Sequence, residues 1–273
     1  MAPFYDHGPE SGLHLLKDAW GQKQYLDEQS RFLAGELDVA IEATFDAAPV
    51  RHQGFAMTRP ATLDISETRE ESLLEAAMLV RWKQPGLWEI PGAWSRLLAF
   101  QVPLFNAQGR GSWGYIDLLG VNRNGLPVVV ELKKSPKAKD DGRTETPETP
   151  LRMVLEAAAY AIALRRNWEL FRVEWCSLLQ ELNVSAEVVN RVPTELTNVP
   201  LVAAAPASFW LEWLPYTSKG RSMTRWDGFR ELLSGLEQAG LPVQFLSVSG
   251  DHSRPSGLAI QTLDSLPWSI VRP

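Results

Sequence analysis

Between residues 66 and 250 the spacing of apolar positions changes repeatedly, and each change marks an element. ETREESLLEAAMLVRW follows Ser66 as an N-cap, with Glu70 and Glu71 near the first turn, and predicts a helix. Leu73, Leu74 and Ala77 form its apolar stripe, and Glu70 falls within that stripe on a helical projection. Three β-like runs follow, LAFQVPLF, SWGYIDLLGV and GLPVVVELKKS, joined by NAQGRGS and NRNG. Asn124-Gly125 predicts a hairpin between the second and the third. LRMVLEAAAYAIALRR predicts a second helix with Pro150 in its first turn. VPLVAAAP reads as a strand, MTRWDGFRELLSGLEQAG as an amphipathic helix ending in Gly240, and LPVQFLSVSG as a final strand. Helix, three strands, helix, strand, helix, strand is the order of an α/β domain with a mixed central β-sheet flanked by helices. Upstream lie the amphipathic stretch SGLHLLKDAWGQKQYLDEQSRFLAGELDVAIEATF and a proline-containing connector, RPATLDISE. The expected organisation is a mostly helical N-terminal extension over residues 1–65 and one domain over 66–273.

Charge interrupts this pattern in one place. Val-Val-Val in GLPVVVELKKS predicts a strand covered on both faces, and Glu131 and Lys133 stand at its end. Val129, Glu131 and Lys133 share one face of that strand, and Val128, Val130 and Leu132 the other. Asp117 lies in the otherwise apolar Tyr-Ile-Asp-Leu-Leu-Gly, just upstream of the predicted hairpin. A hairpin makes the two strands neighbours, so Asp117 and Glu131 can converge with Lys133 beside them. Two readings follow from the residues alone. The three charges neutralise one another as a salt-bridged cluster closing the sheet, or the paired carboxylates hold a divalent cation.

Composition narrows the alternatives. A chain of 273 residues with 45% apolar content buries one sizeable core. The lone Cys176 excludes an internal disulfide framework and a multi-cysteine zinc site. His7, His14, His52 and His252 have no metal-ligand spacing. No run approaches the ~18 apolar residues of a membrane span, and MAPFYDHGPE lacks the basic start and apolar centre of a signal peptide, so no membrane partner and a cytoplasmic location are expected. A net charge of -6 means that nucleic-acid binding would use a local basic surface. Gly109, Gly111 and Gly114 fit the dinucleotide fingerprint in spacing, but WGYIDLLGV after them reads as a strand where that motif needs a helix.

Asp117, followed fourteen residues later by Glu131-Leu132-Lys133, resembles the motif of the PD-(D/E)xK nuclease superfamily, the restriction-endonuclease-like proteins. Lys133 is the only lysine with an acid two places before it, and the element order over roughly residues 66 to 250 is similar to that family's core. The resemblance implies that Asp117, Glu131 and the backbone carbonyl of Leu132 ligate magnesium or manganese, and that Lys133 positions or activates the attacking water. It extends to a glutamate on the first helix, for which Glu70 is the first choice and Glu71 and Glu75 the alternatives. It also extends to Glu156 and Tyr160, four residues apart on the helix after the lysine strand, where many members carry glutamine and tyrosine. Glutamate at 156 is a departure, and it either adds a carboxylate to the metal region or pairs with Arg152. Ile116 stands where the family name has proline. The implied function is metal-dependent hydrolysis of phosphodiesters in nucleic acid, with DNA the favoured polymer. The implied contacts to nucleic acid come from Lys134, Lys137, Lys139 and Arg143 in the loop Ser135 to Thr149, expected to be mobile without substrate, and from Arg165, Arg166, Lys219, Arg221 and Arg225. Trp226 is the candidate for stacking on an unpaired base. The alternative is a catalytically silent module on the same fold that binds nucleic acid or a protein.

Overall fold

The structure, a computed structural model, describes residues 26–51, 70–83, 96–104, 114–135, 149–213, 217–218, 221–222 and 226–263. In chain order these form α1 (Leu26–Gly35), α2 (Leu37–Ala47), α3 (Glu70–Trp82), β1 (Arg96–Pro103), β2 (Tyr115–Val121), β3 (Pro127–Leu132), α4 (Pro150–Arg166), α5 (Trp168–Glu181), α6 (Ala186–Asn190), β4 (Leu201–Pro206), α7 (Ala207–Trp213), the short pair β5 (Thr217–Ser218) and β6 (Arg221–Ser222), α8 (Asp227–Gln238), β7 (Val243–Ser249) and β8 (Ala259–Thr262). Six strands make one mixed sheet in the order β1-β2-β3-β4-β7-β8. The β1/β2, β2/β3 and β7/β8 pairs are antiparallel, and β3/β4 and β4/β7 are parallel. The α/β class with a helix-flanked mixed sheet expected from the apolar spacing is the class observed.

Alternation along the strands divides the core in two. Leu119, Val129, Leu201 and Ala203 face a large cluster built with α4, α5 and α8, while Leu118, Val128, Val130, Leu132, Val202 and Ala204 face Leu74, Ala77, Met78 and Trp82 of α3. Every residue of β3 is buried, as its unbroken apolar run requires. α4 starts with Pro150 at the first turn, where its missing N–H costs nothing, and the Thr149 side chain accepts the N–H of Arg152 at 3.0 Å.

The turn between β2 and β3 forms where Asn124-Gly125 predicts it. Gly125 N donates to Asn122 O, and the Asn122 side chain accepts the N–H groups of Asn124 and Leu126. Gly125 has φ 74°, and a Cβ there would lie 2.6 Å from Val188 O, so only glycine fits.

Several elements differ from expectation. FRVEWCSLL belongs to α5, a helix absent from the predicted element order. Trp168, Phe171, Trp175, Leu178 and Leu179 are its buried stripe. β7 is not the final strand, because β8 adds an antiparallel edge to it. Residues 26–48 are built into the main core through Leu26, Leu33, Leu37, Ala40 and Ala48, and Asp27 Oδ1 accepts the N–H of Gly228 at the start of α8 at 2.6 Å. Among the described residues no helix is long and apolar enough to cross a membrane.

Candidate functional site

The β2–β3 hairpin pairs Leu118 with Val130 and Leu119 with Val129, and one step further along that register Asp117 stands opposite Glu131. The β1–β2 register pairs Phe100 with Leu118 and Val102 with Ile116, which sets Gln101 opposite Asp117. Gln101, Asp117 and Glu131 therefore form a row across three neighbouring strands. The alternation of sides breaks at this row, since Phe100 and Leu118 pack on the α3 side whereas Val102 and Ile116 join the α4 cluster. Gln101 sits at this break with φ 50°, a left-handed conformation inside a strand.

A cleft of about 590 Å³ opens over this row. α3 contributes Glu70, Glu71, Ser72 and Glu75; β1 and β2 contribute Phe100, Gln101, Tyr115 and Asp117; Glu131, Lys133, Lys134, Glu156 and Tyr160 complete the lining. The hairpin and α4 thus bring together Asp117, Glu131, Lys133, Lys134, Glu156 and Tyr160. All three glutamates considered on α3 reach the cleft as well. They differ in what they touch. Glu75 is buried and accepts the Gln101 side-chain amide at 2.6 Å, and Glu71 is the one whose charge acts on Asp117.

Lys133 is the hub of the charged network. Its Nζ lies 2.7 Å from Glu131 Oε1 and 2.7 Å from Glu156 Oε2, and Arg152 Nε donates to Glu156 Oε1 at 3.0 Å. Glu156 pairs with Arg152, and it also lines the cleft. Asp117 Oδ2 accepts the backbone N–H of Leu132 at 2.7 Å, which ties the β2 acid to the next strand. Glu131 Oε2 is buried and accepts no hydrogen bond, an unusual state for a carboxylate oxygen.

Burial and crowding set the protonation of these acids. Burial, reinforced by Glu71 and Glu156 and opposed by Lys133 and the Leu132 N–H, pushes the Asp117 carboxyl up to about 7. Burial and the nearby Asp117 charge push Glu131 well above the ordinary carboxylate range. Burial would raise Glu156 too, but Lys133, the neighbouring Glu131 carboxyl and Arg152 outweigh it and hold this carboxyl low. Burial and the surrounding carboxylates push the Tyr160 phenol up, so it stays a hydroxyl, packed so close to Gly114 that a Cβ there would lie 3.0 Å from its oxygen.

A raised folded-state value for Asp117 means that the folded protein holds a proton the unfolded chain releases near pH 4. The resulting stability is complete below that pH and is lost as pH rises through about 7. Without divalent cations the melting temperature should fall between pH 5 and 8, and magnesium should recover it at pH 8. Calorimetric scans across that range, with chelator and with magnesium, check this; a flat profile would contradict a strained carboxylate pair.

Other expected contacts lie elsewhere. The Arg165 guanidinium donates to the carbonyls of Thr197, Ala239 and Gly240, clamping the β4 and β7 approaches, and burial lowers it to about 10. Arg166 donates to Phe45 O, with its guanidinium carbon 5.5 Å from the centre of the Phe45 ring. Both are occupied at the far end of α4. Trp226 is buried against Phe229 and is a core residue, which corrects the expectation of a stacking platform. Lys137, Lys139, Arg143, Lys219 and Arg225, with most of the Ser135–Thr149 loop, fall outside the described residues, as do Gly109 and Gly111, and nothing is described of the Arg221 side chain. Missing from the sequence reading were Gln101 and Tyr115, since neither a left-handed residue in a strand nor an aromatic at a cleft mouth has a spacing signal.

Among the described residues no group of three or more histidine, cysteine, aspartate or glutamate side chains is arranged to hold a metal ion. The candidate donors at the hairpin are the Asp117 and Glu131 carboxylates, which suit magnesium, an ion that keeps several waters and takes one or two carboxylates with substrate phosphate. The buried, unpartnered Glu131 Oε2 fits that role. Comparison with protein-family models, with curated proteins and with solved structures finds no match to this chain.

Proposed function

We propose that the cleft hydrolyses phosphodiester bonds in nucleic acid, most readily DNA, with magnesium or manganese as cofactor, in the manner of the PD-(D/E)xK nucleases that the sequence resembles. One observation carries the reading. Asp117 and Glu131 stand side by side on adjacent strands, with Lys133 within 2.7 Å of Glu131, at the floor of an open polar cleft. A helix-flanked mixed sheet with α3 before the hairpin and α4 after it supports a restriction-endonuclease-like core.

In this mechanism Asp117, Glu131 and the Leu132 carbonyl hold the cation, which when bound polarises a phosphate oxygen and acidifies a water. Asp117 is oriented for this by the Leu132 N–H. Hydrolysis joins a water oxygen to phosphorus and breaks a P–O ester bond. Lys133 holds that water and balances the charge that builds on the phosphate oxygens. Glu156 and Arg152 keep the lysine in place while its pairing with Glu131 loosens. Tyr160, still protonated, offers a hydrogen-bond donor beside the carboxylates.

The second reading, a silent binding module, rests on the closed Glu131–Lys133–Glu156–Arg152 network, in which each charge already has a partner. Incubation of labelled single- and double-stranded DNA and RNA with magnesium, with manganese and with chelator decides between them. Cleavage that appears with either metal and vanishes with chelator is expected. Salt-sensitive binding without cleavage in any arm selects the silent module.

A further inference from the structure

Glu156 tethers Lys133, and a neutral glutamine at 156 would offer that ammonium an acceptor too. The charge at 156 therefore calls for a reason of its own. Lys133 follows β3 directly, Glu156 stands on α4, and the Lys133 Nζ lies 2.7 Å from Glu131 Oε1 and 2.7 Å from Glu156 Oε2. One ammonium is thus shared by two buried carboxylates. Arg152 Nε donates to Glu156 Oε1 at 3.0 Å, which fixes this carboxylate with its other oxygen on the lysine.

The two carboxylates differ in what else they can take. Glu131 Oε1 accepts the ammonium, while its Oε2 is buried and accepts no hydrogen bond. A divalent cation between Asp117 and Glu131 stands beside that ammonium, and like charges at such range repel strongly where bulk water does not screen them. Something has to give way. Glu131 is fixed in a strand paired on both sides, and Asp117 is tied to the Leu132 N–H, whereas a lysine carries its charge on a flexible four-carbon stem. We propose that Lys133 competes with the cation for Glu131, and that Glu156, braced by Arg152, receives the ammonium when the cation loads. This rests on the nuclease reading, in which Asp117 and Glu131 are the ligands. Glu156 is then a positioning residue that sets cation affinity through the lysine and touches no metal. A glutamine could accept the hydrogen bond but not balance the transferred charge.

The test titrates the full chain with calcium, a divalent ion that takes oxygen ligands, so that loading is read apart from activity. Calorimetry compares wild type, Glu156→Gln, Lys133→Met and the double variant. Glu156→Gln should weaken calcium about tenfold while Lys133 is present, and about twofold or less in the Lys133→Met background, where no ammonium needs a place. Equal losses in both backgrounds mean that Glu156 acts on the cation directly, and they overturn the proposal. Crystals of wild type grown with calcium read the same step without a substitution, which covers the case in which a variant impairs folding. There the Lys133 Nζ should stand beyond hydrogen-bond reach of Glu131 and remain on Glu156. Calcium on Glu131 with the ammonium still paired to it, or no calcium at the two acids, overturns the proposal as well. A handover with calcium but no cleavage of labelled DNA or RNA in magnesium or manganese would leave the lysine switch standing and sink hydrolysis. Metal-dependent cleavage by a protein whose lysine stays on Glu131 would do the reverse.

Discussion

Lys133→Met should leave a protein that is destabilised without metal, recovers in magnesium, and does not cleave. The side chain is 9% exposed, and its ammonium is shared by Glu131 and Glu156. Removing one partner of a buried ionic group costs about 3–5 kcal/mol, because the remaining charges lose their compensation while staying buried. Methionine retains the apolar stem, so packing is not the cause. Magnesium held by Asp117 and Glu131 replaces the lost positive charge, and a ligand at a hundred times its dissociation constant returns about 2.7 kcal/mol. Cleavage should fall about 10²- to 10³-fold even in the rescued protein, since the water and the phosphate charge have lost their cationic partner. Thermal melts with and without magnesium, alongside single-turnover cleavage, separate the roles. Full activity would remove Lys133 from the mechanism, and an unfolded variant that magnesium does not rescue would favour the purely structural cluster.

Asp117→Asn should do the opposite to stability and the same to activity. Asparagine keeps an oxygen for the Leu132 N–H and discards a charge that burial and the neighbouring carboxylates oppose. At pH 8, above the value of about 7 to which Asp117 is pushed, the variant should melt higher than metal-free wild type. At pH 4 the wild-type carboxyl is protonated and the gap should close. Magnesium should no longer stabilise the protein, and cleavage should drop at least about 10²- to 10³-fold. A variant that is less stable at pH 8 than at pH 4, relative to wild type, would show that the carboxylate serves the fold.

The part of the site that was legible lies within a short span of chain. Asp117, Glu131 and Lys133 are joined by a single hairpin, and a glycine turn plus alternation is enough to place them on one face. Glu156 and Tyr160 entered only through the resemblance: helical spacing puts them on one face of α4, and the docking of α4 on the sheet brings that face to the cleft. Nothing local separates Glu70, Glu71 and Glu75, because which of them meets Asp117 or Gln101 depends on how α3 docks on β1 and β2. α5 carries a helical stripe of aromatic residues, but only Asn167 separates it from α4, and its aromatic and β-branched residues read equally as strand. Trp226 illustrates the converse error, a tryptophan near a candidate basic surface that packing claims for the core.

Gln101 carries a conformational cost that the fold keeps. A left-handed glutamine in a strand costs about 1–3 kcal/mol, and glycine or asparagine at 101 would relieve it. Random drift moves toward such relief wherever nothing opposes it. The alternation of sides breaks at Gln101, and there side chains from α3 and α4, which cover opposite faces of the sheet, line one cleft. In a related chain whose cleft had fallen idle, such relief is open at Gln101 and at Asp117 alike, so a change at either position would mark disuse of the cleft.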